Sequence, residues 1–196
     1  MAVALTITAG KGLSRASGLD DSLFANDGQI TKRPVRALTL SALAPRAGEL
    51  LWDIGAGSGS ISVEWCLAGG RALSFELRPD RAVNIRANAV SFGIDHRLTC
   101  IEGPAAANLA THPTPDAVFI GGGGNAALFD QLWSLLPEGT RIVANGVTLE
   151  TESLLAAQHA QRGGSLLRID LAAAAPLGRM RGWEASRPVV QWSVIR

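Results

Sequence analysis

Residues 53–59 read Asp53-Ile54-Gly55-Ala56-Gly57-Ser58-Gly59 and follow an apolar run that begins at Glu49. The run has the length and composition of a buried strand, and a helical pattern begins directly after the glycines, near Ser60. Glycine at alternate positions permits a tight turn with positive φ and removes the Cβ atoms that would keep a ligand from the backbone. The stretch therefore predicts a strand, a ligand-binding turn and a helix, which together form the first unit of an open α/β sheet.

The spacing of the glycines separates this turn from two other nucleotide-binding turns. A dinucleotide fingerprint would place its third glycine where the chain has Ser60, and a phosphate-binding P-loop would need a lysine that the stretch lacks. An adenosyl ligand with an amino-acid tail fits better, because helix N-terminal amides can hold its carboxylate. A glycine turn with a purely structural role stays open as the alternative.

Outward from the turn, strand-like apolar runs alternate with helical patterns. Strands are expected at residues 49–54, 71–76, 97–102, 117–120 and 141–145, and helices at residues 60–68, 79–92, 126–136 and about 149–161. Residues 165–171 and 188–195 also read as strands with no helical pattern between them, so the last strand is expected to be antiparallel. The predicted fold is an α/β, Rossmann-like, doubly wound and mostly parallel seven-stranded sheet.

A further helix is expected ahead of the sheet. Pro34 suits the first turn of a helix that runs to about Leu43, because its missing N–H would have no partner there in any case. Thr31 is the candidate cap of this helix, and Val35 and Leu38 are assigned to its apolar face.

Length and composition favour one globular domain. Residues 1–18 are small and irregular, which predicts a linker, and residues 19–196 are expected to form a single domain. Hydrophobic residues make up 47% of the chain and the formal net charge is +1, a field too weak to imply a nucleic-acid partner. Cys66 and Cys100 lack neighbours at metal-ligand spacing, so no metal site is expected. With no apolar run of membrane-spanning length, a cytoplasmic location and no membrane partner are expected.

Further candidate site residues follow the other strands at the carboxyl edge of the predicted sheet. Glu76 ends the second strand, where an acid can accept hydrogen bonds from ribose hydroxyls. Small residues follow the third strand and leave room for an adenine, and Gly121–Asn125 follow the fourth strand, where bare main chain can approach a ligand. The predicted cofactor-binding residues are Asp53, Gly55, Ala56, Gly57, Ser58, Gly59, Glu76, Gly103 and Ala105.

The turn, Glu76 and Leu136-Pro137-Glu138-Gly139 together resemble class I S-adenosylmethionine-dependent methyltransferases over most of the chain. A narrower resemblance is carried by Asp27–Lys32 with Arg36-Ala37-Leu38, and by Ala144–Thr151. These stretches are similar to the decarboxylating precorrin methyltransferases of cobalamin biosynthesis, in particular to the domain that methylates carbon 15. In that family the domain occurs free-standing or as the C-terminal half of a longer enzyme.

The resemblance implies S-adenosylmethionine as cofactor, with Thr31 beside it, and a tetrapyrrole of the precorrin-6B type as substrate. It implies methylation at carbon 15 together with loss of carbon dioxide from the acetate on carbon 12. It also implies a homotetramer, and fusion to an N-terminal carbon-5 methyltransferase domain in the full-length protein. No residue is singled out as catalytic, because methyl transfer from a sulfonium demands orientation rather than a protein nucleophile.

A substrate with many carboxylates calls for cationic partners. Lys32, Arg179 and Arg181 lie in segments that could flank the carboxyl edge. Together with Gly122 they are the predicted substrate-binding residues, and Arg33 and Arg187 are further candidates.

Two other functions stay open. The same fold serves RNA methyltransferases of the tRNA adenine-N1 type, although near-neutral charge and the absence of tyrosine disfavour a nucleic-acid substrate. The other is a non-catalytic subunit that binds S-adenosylmethionine.

Overall fold

The computed structural model describes residues 12–196, which form nine strands and six helices besides two short 3-10 turns. The strands are β1 (Leu50–Ile54), β2 (Arg71–Glu76), β3 (Leu98–Glu102), β4 (Ala117–Ile120), β5 (Arg141–Gly146), β6 (Ser165–Ile169), β7 (Ala172–Leu177), β8 (Met180–Ala185) and β9 (Val189–Ile195). The helices are α1 (Arg33–Leu43), α2 (Ser60–Leu67), α3 (Pro79–Ser91), α4 (Ala105–Asn108), α5 (Ala126–Leu135) and α6 (Leu149–Arg162).

Seven strands form one sheet in the order β3-β2-β1-β4-β5-β9-β6. Neighbours from β3 through β5 pair in parallel, whereas β9 pairs antiparallel with both β5 and β6. The predicted mostly parallel seven-stranded sheet with an antiparallel last strand is thus confirmed. Strand order reverses between β1 and β4, and in open α/β sheets ligands bind at the carboxyl edge where this reversal occurs.

Helices cover both faces of the sheet. On one face α1, α2 and α3 contribute to a buried cluster that includes Leu40, Trp65 and Ile85. On the other face the buried cluster includes Phe129 from α5 and Trp192 from β9. The central strands β1, β4 and β5 read as apolar runs because both of their faces are buried, whereas the edge strand β6 is mostly exposed.

Two details of the expected first helix are wrong. The N-cap of α1 is Lys32 and makes no side-chain capping bond, so Thr31 lies one residue too early to cap the helix. Leu38 is 41% exposed, because the face that α1 buries carries Val35 and, one turn apart, Thr39 and Leu43.

A β-hairpin that the sequence did not predict, β7 paired with β8, stands between β6 and β9. Its polar and alanine-rich strands are mostly exposed and carry no apolar alternation, the signal by which a half-buried strand is identified. Since β6 runs parallel to β5, the hairpin leaves the sheet at the carboxyl edge. Within the described residues 12–18 there is no helix or strand, and residues 1–11 of the expected linker lie outside the described residues.

The segment before α1 is attached to the sheet layer through a buried ion pair. The Arg36 side chain is fully buried, and its Nε donates to Glu64 Oε1 of α2 at 2.6 Å. The same carboxylate accepts from the backbone N–H groups of Gly18 and Leu19. The guanidinium also donates to the carbonyl oxygens of Leu19 and Thr31. One guanidinium and one carboxylate thus hold both ends of residues 18–31.

Both cysteines are free and shielded from solvent to different degrees. Cys66 of α2 is buried, and burial raises the pKa of its thiol to about 12. Cys100 of β3 is half-buried, and burial raises the pKa of this thiol to about 11. Within the described residues, no cluster of three or more His, Cys, Asp or Glu side chains could hold a metal ion.

Arg36→Ala is expected to lower the free energy of unfolding by about 3–5 kcal/mol, because it leaves the Glu64 carboxylate buried without its counter-charge. Urea denaturation measures the change. The matched control is Arg33→Ala, which removes an exposed guanidinium 4.0 Å from Asp20 and should change stability by less than about 0.5 kcal/mol. Equal losses in the two variants would contradict the role assigned to the buried pair.

Candidate functional site

The turn between β1 and α2 folds back on β2. Gly55, Gly57 and Gly59 have φ values of 67°, 61° and 72°, a region that favours glycine. The N–H groups of Gly55 and Ala56 donate to the carbonyl oxygen of Phe75 in β2. A Cβ atom on Gly55 would lie 2.5 Å from the carbonyl oxygen of Gly122, so the turn is in backbone contact with the loop after β4.

Glu76 lies against this turn, as its position at the end of β2 suggested. One carboxylate oxygen accepts from the N–H of Gly57 at 2.8 Å, and the other accepts from the N–H of Arg78 at 3.0 Å. The Glu76 carbonyl accepts from the N–H of Gly103, which brings the loop after β3 to the same place, and Ala105 begins α4 two residues later. The structure thus brings Gly55–Gly59, Glu76, Gly103 and Ala105 together at the carboxyl edge.

Asp53 has a different environment from the other predicted cofactor residues. Its side chain is buried beneath the first turn of α2, where Oδ2 accepts from the Ser62 hydroxyl at 2.7 Å. That hydroxyl is also 2.7 Å from the hydroxyl of Ser74 on β2. Asp53 Oδ1 is buried without a hydrogen-bond partner, and burial raises the pKa of this carboxyl to about 7. Asp53 therefore contacts the first turn of α2 from the interior of the protein.

The segment before α1 covers the turn, and Asn88 of α3 joins the two. The Asn88 amide nitrogen donates to the carbonyl oxygens of Ser58 and Ala25, and its oxygen accepts from the N–H of Ala25. The carbonyl oxygen of Gln29 lies 3.3 Å from where a Cβ on Gly57 would sit. Sequence reasoning missed Asn88, although a polar residue beside Ile85 and Ala89 on the buried face of α3 was the available signal.

Thr31 and the cationic residues predicted to bind substrate are more dispersed. Thr31 is half-buried two residues after Gln29, and Lys32 is exposed at the start of α1. Arg179 and Arg181 are exposed at the tip of the β7–β8 hairpin, roughly 20 Å along the strands from its base. No hydrogen bond or ion pair among the described residues joins the hairpin tip to the turn.

A pocket of about 210 Å³ lies at the carboxyl ends of β4 and β5. The glycines after β4 line one end of the pocket, and among them Gly122 also contacts the turn after β1. At the end of β5 the Asn145 side chain points to the α1 face of the sheet, where it donates to the hydroxyl of Thr39 and accepts from Gln191. The lining residues are Ile120, Gly121, Gly122, Gly123, Gly124, Phe129, Ala144, Asn145, Gly146, Val147, Thr148, Thr151, Leu154 and Leu155.

A glycine turn after β1, an acid at the end of β2 and an antiparallel strand beside β5 define the fold of class I methyltransferases. The sequence profile of the precorrin methyltransferase domain matches residues 22–196, and the chain belongs to that family. None of the helices in residues 12–196 combines the length and apolarity that a bilayer crossing requires.

Relatives in this family match from about two thirds to more than nine tenths of the chain. The C-terminal domain of precorrin-6Y C5,15-methyltransferase from Rhodobacter capsulatus is 63% identical, with a TM-score of 0.92 over 94% of this chain and 100% of that one. Precorrin-6Y C(5,15)-methyltransferase [decarboxylating] from Sinorhizobium sp is 55% identical over 92% of this chain and 44% of its own length. The probable cobalt-precorrin-6B C(15)-methyltransferase (decarboxylating) from Saccharolobus solfataricus is 38% identical over 68% of this chain and 71% of its own. The chain therefore spans about half the length of the longer relatives that it matches.

The buried Asp53 makes stability depend on pH. Its pKa is 3.8 in an unfolded chain and about 7 in the folded protein, so folding takes up a proton between these values. Its contribution to the free energy of unfolding is therefore present at low pH and is lost as pH rises from about 4 to about 7, by at most roughly 1.4 kcal/mol per pH unit.

Asp53→Asn should remove this loss, so its stability relative to the parent protein should increase between pH 5 and pH 8. Urea denaturation of both proteins at each pH measures the difference. Stability curves that stay parallel across this range would contradict a raised pKa at Asp53.

Proposed function

We propose that this chain binds S-adenosylmethionine at the turn after β1 and methylates carbon 15 of a precorrin-6B type tetrapyrrole. Loss of carbon dioxide from the acetate on carbon 12 accompanies the transfer, as a step in cobalamin biosynthesis. The observation that carries the proposal is the Glu76 carboxylate against the Gly57 amide, in a chain of the precorrin methyltransferase family. The names of the relatives support the substrate and the decarboxylation.

The residues at the turn fit the cofactor. Glu76 would accept hydrogen bonds from the ribose hydroxyls, and the first amides of α2 would hold the amino-acid carboxylate. The Ser58 hydroxyl is buried with no partner among the described residues and is available as a further polar contact. Gly103 and Ala105 would border the adenine, and Thr31 would lie at the covering segment. When bound, S-adenosylmethionine supplies an electrophilic methyl group on a sulfonium.

The protein's contribution to methyl transfer is orientation. The backbone contact between Gly55 and Gly122 leaves no side chain between the turn and the pocket, so an acceptor at the pocket mouth lies beside the cofactor. Holding two reactants in line removes much of the entropic barrier, and no protein nucleophile is needed. Lys32, Arg179 and Arg181 would bind carboxylates at the periphery of the tetrapyrrole.

Fusion and assembly are further parts of the proposal. Because the chain spans about half of its longer relatives, an N-terminal half that methylates carbon 5 would account for the remaining length. A homotetramer, implied by the family resemblance, and a cytoplasmic location complete the proposal.

Glu76→Ala should raise the dissociation constant for S-adenosylmethionine about tenfold, because charge-assisted hydrogen bonds to the ribose would be lost. Isothermal titration calorimetry gives the constant. Glu102→Ala is the matched control, since Glu102 pairs with Glu76 in register on β3 but is exposed and bound to Arg86. Its dissociation constant should stay within about twofold of the parent value. Weaker binding of S-adenosylmethionine by Glu102→Ala together with unchanged binding by Glu76→Ala would contradict the role proposed for Glu76.

Incubation with methyl-labelled S-adenosylmethionine and either precorrin-6B or bulk tRNA tests the acceptor. We expect the pigment to gain one methyl and lose one carbon dioxide, as seen by mass spectrometry, and the tRNA to stay unlabelled. Labelled tRNA with unchanged pigment would instead establish an RNA methyltransferase. Cofactor binding without turnover on either acceptor would establish a non-catalytic subunit.

A further inference from the structure

The pocket beside Gly122 is too small for the whole proposed substrate. Its volume of about 210 Å³ lies below the roughly 300–1,000 Å³ of pockets that enclose a drug-sized ligand. A tetrapyrrole is larger still, so only one of its substituents can enter. The pocket can therefore select which peripheral group of the macrocycle is taken away from water.

The lining of the pocket is neutral. Its floor is apolar and includes Ile120, Phe129 and Leu155, and none of its lining residues carries an ionisable side chain. Its polar groups are the hydroxyls of Thr148 and Thr151 and the main chain of the glycine run. A carboxylate that entered would therefore meet neutral donors but no counter-charge.

The Asn145 amide is held in a fixed orientation on the α1 face of the sheet. Its nitrogen donates to the Thr39 hydroxyl at 2.9 Å, and its oxygen accepts from the Gln191 amide at 3.0 Å. Thr39 and Gln191 are both buried, and the Gln191 amide also donates to the Thr39 hydroxyl. These bonds turn the Asn145 amide away from Ile120, Phe129 and Leu155 of the pocket floor, which lie on the other face of the sheet.

We infer that this pocket receives the carboxymethyl arm that is lost as carbon dioxide, an inference that rests on the proposed function. The arm on carbon 12 and the methylated carbon 15 are both attached to one pyrrole ring, so an arm in the pocket places the acceptor carbon near the turn. Carboxylates that the product keeps are bound by cations at the periphery, whereas the one that is lost enters a site without a cation.

The chemistry of the step favours such an environment. The bond between the methylene and the carboxylate carbon breaks, its electron pair passes into the conjugated ring, and carbon dioxide leaves. A proton from water then converts the methylene to a methyl group. Charge that is localised on the carboxylate in the ground state is dispersed over the ring in the transition state, so the loss of water without a compensating cation favours the reaction.

Leu154→Lys tests the inference by placing an ammonium group at the pocket, with Leu154→Met as the neutral control of similar length. Leu154 is half-buried in the pocket wall. Single-turnover release of labelled carbon dioxide, from precorrin-6B labelled in the carboxyl of the carbon-12 acetate, should fall about tenfold or more in the Lys variant. The Met variant should stay within about twofold, and both should bind S-adenosylmethionine like the parent protein by calorimetry.

Val147→Lys, with Val147→Leu as its control, repeats the test at a lining position that is 56% exposed and so tolerates substitution. Equal rates of carbon dioxide release in the Lys variants and their controls would overturn the pocket assignment and leave the proposed function standing. A parent protein that binds S-adenosylmethionine but releases no carbon dioxide from this pigment would instead overturn the proposed function, whatever the variants do.

Discussion

Two stretches of bare backbone touch where β1 and β4 diverge, and the rest of the site depends on this contact. A Cβ on Gly55 would lie 2.5 Å from the carbonyl oxygen of Gly122, so the contact requires glycine at position 55, and the N–H of Gly121 donates to the carbonyl oxygen of Ile54 at the same point. The turn with Glu76 lies on one side of the contact and the neutral pocket lies on the other. A donor and an acceptor bound on the two sides, as proposed, would be separated only by main chain, with no side chain between them.

The cover over the turn is held by polar groups in the interior. The Arg36–Glu64 pair holds residues 18–31 at both ends, and Asn88 connects the middle of this segment to Ser58. Buried polar groups of this kind contribute little net stability when they are satisfied, and they cost several kcal/mol when one partner is removed. Their main effect here is to specify one position of the cover relative to the turn.

Local patterns predicted the sheet and the turn. The central strands β1, β4 and β5 are buried on both faces and read as apolar runs, and the alternate glycines required a turn with positive φ. What the sequence did not predict depends on distance along the chain. Asn88 meets Ala25 across 63 residues, and no periodicity links such positions. The β7–β8 hairpin was not predicted because its strands bury few side chains. Thr31 was wrongly predicted as the cap of α1 because Pro34 allows the helix to start at either neighbouring residue. Asp53 follows the motif in sequence, but its side chain points beneath α2, which only the three-dimensional structure reveals.

The two cysteines have a practical consequence. Thiol alkylation proceeds through the thiolate, and with pKa values of about 12 and about 11 Cys66 and Cys100 are almost entirely protonated at neutral pH. The protein therefore presents a nearly unreactive thiol background to maleimide reagents. A single cysteine introduced at an exposed position of the hairpin, such as Met180, would take up a fluorophore selectively, with no need to remove the native thiols.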